Sequence, residues 1–246
     1  MPPEPLEIIV VYPRLLGLYG DRGNAVALQH RAEVRGISAR VTEIAPGEPI
    51  PESAQIYLVG GAEDGSMTAA ALMLERQPGL LRGIGAGASC LAVCAGFQLL
   101  SNSYVGPDDR PRAGLGVLDV TCGRLPGARA VGEVVSRSTL DGSPLLGFEN
   151  HQGDAVLGAG AEPLGLVEVG SGNGHDGYEG ARQGRVIGTY LHGPVLVRNP
   201  GLADKLLADV VGHDLEPHVD RRVERLRRER LQATQSLRSR LFRRSG

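Results

Sequence analysis

The stretch from Ser89 to Asn102 limits what this chain can fold into more than any other. A short apolar run, Leu91-Ala92-Val93, stops at Cys94. Ala95 and Gly96 then form a corner, and Phe97-Gln98-Leu99-Leu100 has the pattern of the first turns of a helix. Small residues stand two before and two after the cysteine, Ala92 and Gly96, so the chain has room to bend there. This spacing predicts a nucleophile elbow, with the reactive atom on a sharp strand-to-helix turn. A strand that passes directly into a helix belongs in a buried sheet with helices packed on it. The helix start presents free N–H groups and a partial positive charge, and both favour a thiolate. A lone cysteine is more often a small buried hydrophobe. Strand, cysteine, small residue, glycine and helix together point to a nucleophile, provided a base lies elsewhere.

The flanking sequence supplies that sheet. Leu6 to Tyr12 is a near-continuous apolar run, as expected of a parallel strand covered on both faces. After a loop from Pro13 to Asn24, a helix is expected to about Arg35, ended by Gly36. Ile37 to Ile44 alternates like a second strand, and Gln55 to Val59 reads as a third that runs into Gly60-Gly61. Met67 to Gln77 has helical spacing and is closed by Pro78-Gly79. Strands alternating with helices predict a flavodoxin-like α/β fold with a mostly parallel, doubly wound sheet.

From about Asp108 the pattern changes to short strands split by glycine-rich turns, at Val117–Thr121, Ala130–Val135, Leu145–Phe148 and Leu164–Val169. These predict a short antiparallel extension near the active face. Arg185 to Leu191 is the last strong strand, and Gly201 to Val211 an amphipathic helix. Residues 220–246 hold ten Arg against three acidic residues, which predicts a basic, partly exposed helix, either solvated or docked on an acidic partner. The expected division is one α/β domain over residues 1–211 and an Arg-rich helical tail over 212–246.

Composition removes several classes of function. The 246 residues are 41% hydrophobic with a formal net charge of −2, which gives no global pull toward nucleic acid or membrane. With 4% aromatic residues and no Trp, base-stacking platforms are not expected. No run approaches the roughly 18 apolar residues that span a bilayer. The start, Met1-Pro-Pro-Glu-Pro-Leu-Glu7, lacks the regions of a signal peptide, which predicts a cytoplasmic chain. The three cysteines, Cys90, Cys94 and Cys122, fit neither a disulfide framework nor a zinc site. Gly83-Ile-Gly-Ala-Gly87 precedes a strand instead of following one, so it is not a dinucleotide loop. No GxxxxGK[ST] sequence or metal cluster is visible, so no cofactor is expected in this chain.

Six histidines could supply the base. His192 follows a buried strand in Tyr190-Leu-His-Gly-Pro194, at the carboxyl edge of the sheet where Cys94 also lies. His151, in the polar loop expected at Phe148–Gly153, is the runner-up and could line the pocket. His30, His175, His213 and His218 lie on a helix, in a glycine-rich loop and near the tail. A tetrahedral oxyanion needs donors: the backbone N–H of Gly61, after its strand, and that of Ala95 at the helix start are the candidates.

Val93-Cys-Ala-Gly-Phe-Gln-Leu-Leu100, Gly60-Gly61 after a strand and the late Tyr-Leu-His192-Gly together resemble the class I glutamine amidotransferase domain, over about residues 6–211. The family hydrolyses glutamine through a Cys thioester and releases ammonia. Tyr19-Gly-Asp-Arg-Gly-Asn24 and Glu149-Asn-His-Gln-Gly153 are most similar to its cobyric-acid-synthase-like branch, and within it to the glutaminase subunits of lipid II isoglutaminyl synthases. The resemblance implies Cys94 as nucleophile and His192 as base, with Gly61 and Ala95 at the oxyanion hole. Gln98 and Arg129 would bind glutamine, with His151 beside them. It also implies a heterodimer with a MurT-like Mur ligase that would carry the ATP and Mg and bind lipid II, at the inner face of the membrane. The family often has Glu two residues after the His; Pro194 stands there, which implies a Cys–His dyad or an acid from elsewhere in the chain. A cobyrinate-type acceptor, an α/β Cys hydrolase cleaving esters or peptides, and an idle scaffold for a ligase are the other readings of the same residues.

Overall fold

A six-stranded sheet forms the centre of the structure, a computed structural model that describes residues 4–174 and 176–242, without the side chains of Tyr19 and of residues 235–242. The first half supplies β1 (Leu6–Val11), α1 (Arg22–Glu33), β2 (Ala39–Ile44), β3 (Ile56–Val59), α2 (Asp64–Leu74), α3 (Gly79–Gly85), β4 (Ser89–Val93) and α4 (Ala95–Leu100). The second half begins with the short strands β5 (Ser103–Val105), β6 (Pro111–Ala113) and β7 (Val120–Arg124). It continues with β8 (Ala130–Ser138), β9 (Pro144–His151), β10 (Gly153–Leu157), β11 (Gly165–Val169), β12 (Tyr178–Glu179), β13 (Ala181–Gln183) and β14 (Val186–Thr189). It ends with α5 (Val195–Arg198), α6 (Pro200–Val211) and α7 (Arg221–Phe242).

The main sheet runs β13-β14-β4-β3-β1-β2. All its pairings are parallel except the hairpin of β13 with β14. The strands that read as continuous apolar runs are the central ones: β3, β4 and β14 are buried at every position. Edge strand β2 is only partly buried, which is why its sequence alternates. His151 and its neighbours Glu149 and Asn150 lie in strand β9, not in the loop their polarity suggests. The second half forms two four-stranded sheets, β10-β7-β5-β6 and β12-β11-β8-β9, antiparallel except where β5 meets β7 in parallel.

Two ion-pair groups fix the carboxyl-terminal segment. Arg31 of α1 grips Asp204 of α6 with two bonds, at 2.5 and 2.6 Å, and donates to the His218 carbonyl at 3.1 Å. Arg35 donates to the Glu216 carbonyl at 2.9 Å. The connection into α7 is therefore held to the body. Helix α7 itself packs against β8, β11 and α5. Its Arg227 donates to the carbonyls of Arg198 and Pro144 at 2.7 and 3.0 Å, and Glu133 of β8 joins Arg198 and Arg230. The face with Arg221, Arg222, Arg225 and Arg228 stays exposed.

Candidate active site

Cys94 sits at the carboxyl end of β4 with φ 53° and ψ −106°, outside the regions an L-residue normally adopts. Its neighbours hold this conformation. The Cys94 N–H donates to the Thr189 carbonyl of β14 at 2.8 Å, and the Gly96 N–H to the Gly60 carbonyl at 3.1 Å. A Cβ on Gly96 would stand 2.3 Å from the Val59 carbonyl oxygen, so only glycine lets α4 begin this close to β3.

The thiol is not activated by the helix start alone. Burial pushes it up to about 12, Asp21 adds to that rise, and the Ala95 N–H and Arg129 oppose it more weakly. Removal from water therefore outweighs the donors that favour a thiolate. Cys90 and Cys122 are likewise pushed up to about 12 by burial. Cys94 differs from them in reaching a cleft. That cleft is lined by Cys94, Gln98, Arg129 and His151, and closed by Glu63 and Asp64 after β3 and by Arg124 and Gln152.

His192 is fully buried and does not line the cleft. It neighbours Cys94 across Gly61. A Cβ on Gly61 would come within 3.0 Å of His192 Cε1 and 3.5 Å of Cys94 Cβ, so the absence of a side chain there lets imidazole and thiol share one space. The Gly61 N–H, expected as an oxyanion donor, is committed elsewhere: it donates to Asp21 Oδ2 at 2.6 Å, a short charge-assisted bond. Of the two expected donors, Ala95 N–H is the one directed at the sulfur.

Gln98 and Arg129 both face the cleft. The Gln98 side-chain amide lies 3.5 Å from the Tyr190 hydroxyl. Arg129, exposed in front of β8, is oriented by Asn150, donating to its side-chain oxygen at 2.5 Å and its carbonyl at 2.8 Å. His151 is part of the wall. Its ring stacks on Tyr190 with centroids 4.0 Å apart and planes at 7°. Its Nδ1 is 2.7 Å from the Gly153 carbonyl, which can only accept, so Nδ1 carries the proton. Its Nε2 faces Glu149 at 3.8 Å. Both ring nitrogens thus point away from the role of base to Cys94. The glycine-rich segment after β11 does not line the cleft. The Glu149 carboxylate ties it down by accepting the N–H groups of Ser171 and Gly172 at 3.0 and 3.1 Å. His175 lies outside the described residues.

Sequence reading did not single out Asp21. Its carboxylate is buried, and Oδ1 lies 3.9 Å from His192 Nδ1. The available signal was an acidic residue between glycines in a loop that leaves a strand at the same sheet edge as Cys94.

The chain is similar to known glutamine amidotransferases. The CobB/CobQ-like glutamine amidotransferase domain matches residues 7–200. The GatD subunit of the glutamine-hydrolysing lipid II isoglutaminyl synthase of Staphylococcus aureus is 37% identical over 78% of this chain and 79% of its own length. A cobyric acid synthase of Sphingopyxis alaskensis is 35% identical over 68% of this chain but only 34% of its own. A solved structure of a glutamine amidotransferase superposes with a TM-score of 0.56 at 21% identity, covering 82% of this chain and 98% of that one, so the fold is shared.

Proposed function

The chain belongs to the CobB/CobQ-like glutamine amidotransferase family, and from that premise we propose that it is the glutaminase subunit of a lipid II isoglutaminyl synthase. The single observation that carries the glutaminase reading is the placement of Cys94 on its elbow, with His192 beside it and Gln98 and Arg129 facing the same cleft. Arg129 binds the α-carboxylate of glutamine and Gln98 its polar end, which sets the side-chain amide against the sulfur. His192 takes the thiol proton as Sγ attacks the amide carbon. The Ala95 N–H receives the oxyanion, while the Gly61 N–H stays on Asp21. His192 then protonates the departing nitrogen, ammonia leaves, and water hydrolyses the thioester to glutamate. A thiol pushed up to about 12 makes that proton transfer necessary, because little thiolate is present at neutral pH.

Extended similarity to the GatD subunit, over most of both chains, favours lipid II as the acceptor over cobyrinate. In this reading the ammonia passes to a MurT-like, ATP-dependent Mur ligase in a heterodimer, which amidates the D-glutamate of lipid II to D-isoglutamine in peptidoglycan synthesis. ATP and Mg belong to that partner, and lipid II brings the pair to the inner face of the membrane. Among the described residues no helix is long and apolar enough to cross a membrane. The test is co-expression with the candidate ligase, size exclusion, and assays of glutamate release and of amidation with glutamine and ATP. Amidation by the pair that is lost in Cys94→Ala and restored by added ammonium is the expected result. Amidation from glutamine by a Cys94→Ala pair would exclude this site as the ammonia source.

A further inference from the structure

We infer that Asp21 is a positioning residue for the Cys94–His192 pair, orienting the imidazole through Oδ1 while Oδ2 fixes the Gly61 peptide beside the thiol. The inference rests on the glutaminase reading of that pair and adds the third group to it.

The first observation is burial. The side chains of Asp21 and His192 are only 5% and 1% exposed, and Asp21 Oδ1 lies 3.9 Å from His192 Nδ1. Among the described residues Oδ1 has no hydrogen-bond partner. A carboxylate out of water needs one. The separation is slightly beyond hydrogen-bond range, and such contacts tighten when a substrate closes the site.

The second observation is an alternative that Asp21 does not take. It stands at the N-cap of α1, where an aspartate ordinarily accepts the N–H groups of its own helix. No such side-chain bond forms. The carboxylate turns instead toward Gly61 and His192.

The third is how the Asp21 loop is seated. A Cβ on Gly23 would stand 2.3 Å from Pro194 Cγ, so the loop lies directly on the residue two after His192. Asn24 Oδ1 accepts the Leu196 N–H at 2.9 Å. The Leu18 N–H donates to the Gly61 carbonyl at 3.2 Å. One short stretch of chain thus grips both Gly61 and the segment that follows the base. Pro194 cannot act as an acid itself, yet its ring seats the loop that brings one.

In the reaction the proton moves from Cys94 Sγ to the imidazole, and Asp21 stabilises the imidazolium across Nδ1–H until the proton passes to the leaving nitrogen. Around the thiol, the charged groups are Asp21 from the loop before α1, Glu63 from the β3–α2 connection and Arg129 from in front of β8. Glu149 and His151 of β9 and Glu179 of β12 interact with one another around Tyr190.

The experiment compares Asp21→Asn and Asp21→Glu with the wild type in the full chain, by glutaminase kinetics, Cys94 alkylation against pH, and nitrogen NMR of the His192 ring. Asp21→Asn should lose on the order of 10²–10⁴-fold in kcat, with KM within about threefold. Its alkylation profile should shift, because the carboxylate 3.9 Å from the imidazole that takes the thiol proton is gone. Asp21→Glu keeps the charge and should keep the profile. In the wild type the neutral His192 ring should carry its proton on Nδ1. Wild-type turnover by Asp21→Asn, or a rate loss with an unshifted profile, overturns the inference, as does an Nε2–H tautomer in the wild type. If Asp21→Asn does not fold, the wild-type tautomer decides. If the wild type does not hydrolyse glutamine, the function proposed above fails, and the alkylation profile and tautomer still decide the role of Asp21.

Discussion

His192 is pinned to Phe148 by two backbone hydrogen bonds, its N–H donating to the Phe148 carbonyl at 2.8 Å and its carbonyl accepting the Phe148 N–H at 3.1 Å. These bonds join the end of the parallel sheet to β9, the strand that also carries Asn150 and His151. His192, the orienter of Arg129 and the cleft wall are therefore joined in one hydrogen-bonded framework. Effects of substitutions here divide by which part of that framework is touched.

At the nucleophile, Cys94→Ala should abolish glutamine hydrolysis while leaving the melting temperature close to wild type, since it relieves a buried thiol without opening a large cavity. Gly96→Ala should do the reverse of sparing the fold. Its Cβ would stand 2.3 Å from a backbone oxygen, a clash costing about 1–3 kcal/mol. Glutamate release and thermal unfolding measure both. Retention of more than a few per cent of activity in Cys94→Ala would contradict the assignment.

For the base, His192→Ala should cost on the order of 10²–10⁴ in turnover. His151→Ala should cost less and act mainly through KM, because its Nδ1 is spent on the Gly153 carbonyl and its ring on Tyr190. Steady-state kinetics with glutamine separate the two. A larger kcat loss at His151 would exchange their roles.

Arg129→Ala should raise the glutamine KM more than it lowers kcat, since a carboxylate clamp binds ground and transition states alike. Asn150→Ala should shift KM in the same direction by a smaller factor, because it removes the side-chain bond that aims the guanidinium and leaves the carbonyl bond in place. An unchanged KM in Arg129→Ala would move the clamp to another arginine on the cleft.

Stability should depend on pH through Glu179. This fully buried carboxyl accepts from the Thr189 hydroxyl and, at 3.2 Å, from the Tyr190 N–H. Burial raises it from 4.5 to about 7. The fold favours its neutral form, so its contribution is complete below about pH 4.5 and is lost as the pH rises toward 7. Glu179→Gln stays neutral throughout. It should be more stable than wild type by up to about 3 kcal/mol above pH 7, and near parity at pH 4.5. Thermal unfolding at the two pH values checks this, and a gain independent of pH would contradict it.

The central strands and the Cys94 corner can be read from sequence because continuous apolar runs and small residues at a bend each have one physical meaning. The second half resists such reading. Glu149 and His151 look like loop residues, yet they lie in β9, where the N–H groups of Ser171 and Gly172 satisfy the buried carboxylate. That compensation comes from residues distant in sequence and leaves no local pattern. Asp21 is hidden for the same reason: nothing nearby in the chain tells that its carboxylate abandons its own helix for Gly61 and His192. Cys94 itself was legible as to place but not as to charge, since burial depends on everything packed around it.

The Thr189 carbonyl that receives the Cys94 N–H lies on β14, inserted between β4 and β13. A ribosome delivers the chain from its amino end, so Cys94 leaves the exit tunnel well before the strand that holds its backbone and before His192. Until β14 slides in beside β4, the elbow has neither its carbonyl partner nor a proton acceptor. In the proposed mechanism an unfinished chain would be chemically silent, and turnover would begin only when the last parallel strand closes the sheet.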